Sequence, residues 1–154
     1  MQDQPPNPWK KRLSALGAAL VVGYSSHYLT SVLLVAADEA GIGVGNAFMP
    51  VLFGVQCLIV VIALIWQLKI ADSLRNYETA AFCSAIFLLA TVLALILIAV
   101  ATASGDSSID HGASVAAFFM VVIFGGFYAI QAIVFAVIGF ALRKRRLSAF
   151  GRLA

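Results

Sequence analysis

Residues 10–39 read KKRLSALGAALVVGYSSHYLTSVLLVAADE: three bases, twenty-five residues without a charge, then two acids. A helix of about 20 apolar residues covers the hydrocarbon core of a bilayer, so residues 13–37 read as a span with opposite charges at its two ends. Three further charge-free stretches follow, at residues 40–68, 79–105 and 112–142. A soluble helical bundle needs a polar face on every helix, and these stretches have almost none. The expected fold is an all-α integral membrane protein, a four-transmembrane-helix bundle with spans at about 13–37, 45–68, 79–103 and 113–142.

All ten Lys and Arg residues fall on one side of these spans. Lys10, Lys11 and Arg12 precede the first, Lys69 and Arg75 lie between the second and third, and Arg143, Lys144, Arg145, Arg146 and Arg152 follow the fourth. The connections on the other side carry only Asp38, Glu39, Asp106 and Asp110. By the positive-inside rule the basic side is cytoplasmic, which places both termini inside. The net charge of +3 then expresses topology and attraction to an anionic leaflet, and no nucleic-acid partner is expected. Arg143, Lys144, Arg145 and Arg146 form the expected contact with anionic lipid. Compactness and charge bias point to a bacterial inner membrane.

The remainder is small. A cytoplasmic N-terminal tail (residues 1–12), a short middle connection and a basic C-terminal tail (residues 143–154) leave no room for an extramembrane domain. Val35, Ala36 and Ala37 have the small-residue character of a signal-peptidase site, but the apolar run before them is about twice a usual signal h-region. The first span therefore reads as a retained anchor.

Polar residues inside the spans fall at one depth. At 1.5 Å per residue from the basic end, Tyr24 and Gln131 lie at ~16 Å, Gln56 and Thr91 at ~18 Å, and His27 and Tyr128 at ~21 Å. Tyr24, His27 and Ser31 recur at helical spacing, as do Tyr128 and Gln131. An imidazole or amide facing acyl chains leaves hydrogen bonds unmade, so these faces are expected to turn inward, the layer marking the bundle interior or an oligomer interface. Two uses fit such a midplane layer: interhelical hydrogen bonding, at about 0.6–2 kcal/mol per residue, or a site for an ion or small solute. The spans carry no Asp, Glu, Lys or Arg, which favours the first.

Reactive chemistry is sparse. A membrane haem needs two facing ligands, and the only histidine besides His27 is His111 in an outer connection, so no cofactor is expected. Ser25, Ser26 and His27 point about 100° apart on a helix and build no nucleophile–base pair. Cys57 and Cys83 lie at depths differing by roughly 10 Å, too far for a disulfide. Asp106, Asp110 and His111, with Asp38 and Glu39, read as solvated turn residues in preference to a cation site. Neither a catalytic residue nor a metal ligand set is expected, and the chain does not read as an enzyme.

Small residues mark a packing face on the fourth span: Gly125, Ala129, Ala132, Ala136 and Gly139. The same span bears Phe118, Phe119, Phe124, Phe127, Phe135 and Phe140, which makes it the helix expected to meet a partner. The expected function is that of a non-catalytic small subunit or assembly partner in a larger inner-membrane complex. The alternative is a homo-oligomeric channel or carrier lined by the midplane layer. The expected partners are accordingly the lipid bilayer and either other membrane subunits or further copies of the chain.

Overall fold

The computed structural model describes residues 8–43, 45–70, 72–104, 115 and 118–150. These residues are helical almost throughout. Helix α1 is Pro8–Glu39, α2 is Phe48–Lys69 after a single 3-10 turn at Gly45–Ala47, and α3 is Ser73–Ser104. Helix α4, Gly126–Phe150, continues a π-helical turn at Val121–Gly125. All four are long and apolar enough to cross a membrane, the fourth as one run over Phe118–Ser148.

The helix ends are set by local chemistry. Pro8 opens α1, where its missing N–H costs nothing and its fixed φ suits the first turn. At the other end Gly41 adopts a φ of 81°, which a side chain resists. The Ile42 amide donates to the Ala37 carbonyl and the Gly41 amide to the Asp38 carbonyl, both at 3.0 Å, closing a Schellman motif. Asp38 Oδ1 then accepts the Gly45 amide at 2.8 Å and steers the chain toward α2. Only residues 70–72 separate α2 from α3. Asp72 is the N-cap of α3, accepting the Leu74 amide on Oδ1 at 3.0 Å and the Asn76 amide on its carbonyl at 3.1 Å. Because of that cap, Asn76, Tyr77 and Glu78 lie within a helix and not in a connection.

Contacts between helices give the arrangement. Ser14 meets Asn76 and Val21 meets Ser84, so α1 and α3 run parallel. Gly23 and Ser26 meet Val60 and Gln56, and Phe82 and Glu78 meet Gly139 and Arg146, so α2 and α4 run antiparallel to their neighbours. The result is a four-helix bundle with a central α1–α3 pair, α2 packed along α1 and α4 along α3. The N-terminus of α1, the α2–α3 connection and the C-terminus of α4 share one end, here the basic end.

The seam is made of small side chains. Every buried residue of α1 is Ser, Ala, Gly or Val: Ser14, Ala15, Ala18, Ala19, Val22, Gly23, Ser25 and Ser26. Facing them, α3 buries Ala80, Ala81, Ser84 and Ala85. Small residues let backbones approach, and dispersion across a close seam takes the place of the hydrophobic effect where both sides of a helix are apolar. The approach is tightest at Gly23, where a methyl group would collide with Val60 Cγ2. At Gly139 a methyl group would meet the Phe82 ring at 3.1 Å.

Candidate functional site

Polar side chains gather at two levels of the bundle. The middle level contains the residues expected there, but only some of them face inward. Thr91 is fully buried and donates to the Phe87 carbonyl of its own helix at 2.8 Å. Gln56 is half-buried against α1, with its amide nitrogen 2.9 Å from the Gly23 carbonyl and its oxygen 3.1 Å from the His27 backbone N–H. That orientation satisfies both ends of the amide; the reverse one sets two acceptors against each other. Gly23 and His27 are an i, i+4 pair, so the Gln56 amide brackets one hydrogen-bonded turn of α1. Gln131 of α4 is half-buried, and its Oε1 is enclosed without a partner among the described residues.

Serines complete this level. Ser25 and Ser84 both donate to the Val21 carbonyl, at 3.0 and 3.4 Å, from α1 and α3. Ser26 donates to the Gly23 carbonyl at 2.9 Å. Hydroxyls that bond back to the preceding turn hide their polarity inside a close seam. The spacing of Ser25, Ser84 and Ser26 with the alanines was the available signal for these positions.

Tyr24 and His27 do not turn inward. Both are exposed, Tyr24 by 55% of its surface. The reason is helical phase: the buried stripe of α1 is set by the alanines and serines, and Tyr24 lies roughly opposite its centre. Tyr28, half-buried, donates its hydroxyl to that of Tyr24 and packs its ring on Tyr128 of α4, with centroids 4.8 Å apart. His27 sits edge-on to Tyr28, at 5.9 Å. An aromatic, hydrogen-bonding patch therefore faces outward at mid-height.

The second level lies at the basic end and has no counterpart in the sequence reading. Asn76 is fully buried and donates to Ser14 Oγ at 3.3 Å, while Ser14 donates to the Lys11 carbonyl at 2.8 Å. Gln67 of α2 is also fully buried, yet neither end of its amide has a partner among the described residues. Glu78 of α3 is joined to Arg146 of α4: Nε lies 2.9 Å from Oε2, off the hydrogen-bond line, and Nη2 donates to Oε1 at 3.3 Å.

The remaining candidate residues fall as follows. Gly125, Ala132 and Gly139 are buried, with Ala129 and Ala136 half-buried, so the small-residue face of α4 is turned to the bundle, Gly139 lying against Phe82 of α3. Five of the phenylalanines, Phe118, Phe119, Phe124, Phe127 and Phe140, face outward. Arg143, Lys144 and Arg145 are exposed, whereas Arg146 is held by Glu78. Cys57 and Cys83 are free thiols. Among the described residues no three His, Cys, Asp or Glu side chains come together as a metal set. Asp106, Asp110, His111 and Arg152 lie outside the described residues.

No family model, curated protein or solved structure matches this chain. Its chemistry is read from its own residues.

Proposed function

We propose that the chain is a non-catalytic subunit of a larger assembly in a bacterial inner membrane, spanning it four times with both termini in the cytoplasm. The observation that carries this reading is the outward patch of Tyr24 and His27 at the middle of α1. A hydrogen-bonding group left without a partner in hydrocarbon costs several kcal/mol. A helix from a partner subunit that supplies an acceptor to the Tyr24 hydroxyl and a partner to the imidazole removes that cost. What supports assembly over a channel is the state of two of the other polar groups: Gln56 is engaged with the α1 backbone and Thr91 with its own helix, so neither lines an open path.

Two measurements test the reading. Extraction in mild detergent, followed by sizing and mass spectrometry, should recover an unlike partner in fixed stoichiometry, and a Tyr24→Phe/His27→Leu double variant should release it. Recovery of the wild type only as a monomer or self-oligomer counts against it. Orientation is read separately, in a background without Cys57 and Cys83. A membrane-impermeant maleimide should label Ile42→Cys in intact cells, and Ser148→Cys only after permeabilisation; the opposite pattern reverses the topology.

A further inference from the structure

Helices α1 and α4 stand on either side of α3 and leave a groove between them that opens sideways. Its lining is Val21 of α1, Tyr77, Ala80 and Ala81 of α3, and Phe135, Ile138 and Leu142 of α4, around a space of about 130 Å³. Its upper stop is the ring contact of Tyr28 with Tyr128. At the lower end the Glu78–Arg146 ion pair ties α3 to α4.

Helical phase extends the groove to the basic end. Lys10, Gly17, Val21, Tyr24 and Tyr28 follow one stripe of α1 at intervals of seven, four, three and four residues. On α4 Gln131, Phe135, Ile138, Leu142 and Arg145 do the same at intervals of four, three, four and three. Lys10 and Arg145, both exposed, thus flank the mouth of the groove. Arg143 and Lys144 belong to the other side of α4, with Phe140 and Leu147. From the tyrosine stop to the two cations is about 26 Å along either helix. One leaflet with its headgroup layer is about 20–22 Å deep, and long cationic side chains reach for that layer.

We propose that the groove holds one anionic phospholipid of the basic-side leaflet. One acyl chain lies over Ala81 between Val21 and Ile138, and the phosphate sits between Lys10 and Arg145. Two observations select this occupant. The space is lined by apolar groups apart from the Tyr77 hydroxyl, and the two exposed residues that flank its mouth, Lys10 and Arg145, are both positive. The proposal rests on reading the four helices as membrane spans.

Native mass spectrometry of the full chain, supplied in detergent with phosphatidylglycerol or phosphatidylcholine, tests it. The wild type should retain one phosphatidylglycerol per protomer and little phosphatidylcholine. Lys10→Gln/Arg145→Gln should weaken that retention about thirtyfold, from the usual contribution of two bases at an anionic surface. Arg143→Gln/Lys144→Gln should change it less than threefold. Ile138→Trp, which fills the groove from an exposed position, should abolish retention of either lipid. Equal retention of the two lipids by the wild type, equal losses in the two charge variants, or unchanged retention in Ile138→Trp overturns the proposal. Carbonate washing of membranes keeps the underlying reading separate: a chain that stays in the pellet but retains no lipid loses the groove site alone, and a chain that washes off loses both.

Discussion

Gly23 of α1 faces Val60 of α2 with no room between them for a methyl group. This is where the α1–α2 hairpin closes most tightly, and the Gln56 amide clamps the same turn one helical turn away along α2. Gly23→Ala should therefore destabilise the fold by about 1–3 kcal/mol, the usual cost of overpacking. Adding Val60→Ala should recover most of the loss. Thermal unfolding of the four proteins of this cycle in one detergent is the check, and a double variant no better than Gly23→Ala refutes the steric account.

Removing the clamp itself tests polarity apart from shape. Gln56→Leu keeps the bulk but gives up two hydrogen bonds to the α1 backbone, and should cost about 0.6–2 kcal/mol. Backbone exchange adds a local readout. The His27 amide should exchange faster in Gln56→Leu than in wild type, while amides near Ser14 should not change.

Glu78 and Arg146 join α3 to α4 at the basic end, with side chains 11% and 24% exposed. Losing one partner from an ion pair this enclosed leaves a charge with poor solvation, so Glu78→Leu should destabilise by about 2 kcal/mol or more. The paired replacement Glu78→Leu/Arg146→Met should recover much of it. A double variant no more stable than Glu78→Leu would overturn the stranded-charge account.

Gln67 makes the opposite prediction. A fully buried amide without partners carries a penalty of about 1–3 kcal/mol, and a methionine of similar length does not. Gln67→Met should raise the unfolding temperature of the isolated chain. A fall instead would mean that the amide has a partner in solution, such as bound water, and chemical-shift perturbation at Gln67 would locate it.

Helix number was legible in the amino-acid sequence because apolarity and length alone decide it. The inward faces were not. In a helix apolar all round, hydrophobic periodicity carries no orientation, and the assumption that polar side chains turn inward failed for Tyr24 and His27. Size was the better guide: the Ala, Gly and Ser positions of α1 are its buried face, and they leave Tyr24 on the far side. The basic-end level escaped because Asn76 and Glu78 fell in a stretch read as a connection. The Asp72 cap starts α3 at Ser73 and carries both into the bundle. Of the small-residue face expected on the fourth span, Gly125, Ala132 and Gly139 are buried, and Gly139 lies against Phe82 of α3.

The parallel pairing of α1 with α3 also bears on synthesis. Ser14, Gly17 and Val21 dock on Asn76, Tyr77 and Ser84, and the first of these contacts joins residues 62 apart in sequence. At about 5–20 residues per second, Ser14 waits roughly 3–12 s for Asn76 to be synthesised. For that interval half of the α1 seam is uncovered, and an insertase or chaperone that shields small-residue surfaces has its opportunity there. Slowing translation between Lys69 and Ser84 should lengthen the interval, and with it the yield of any such complex captured on the ribosome.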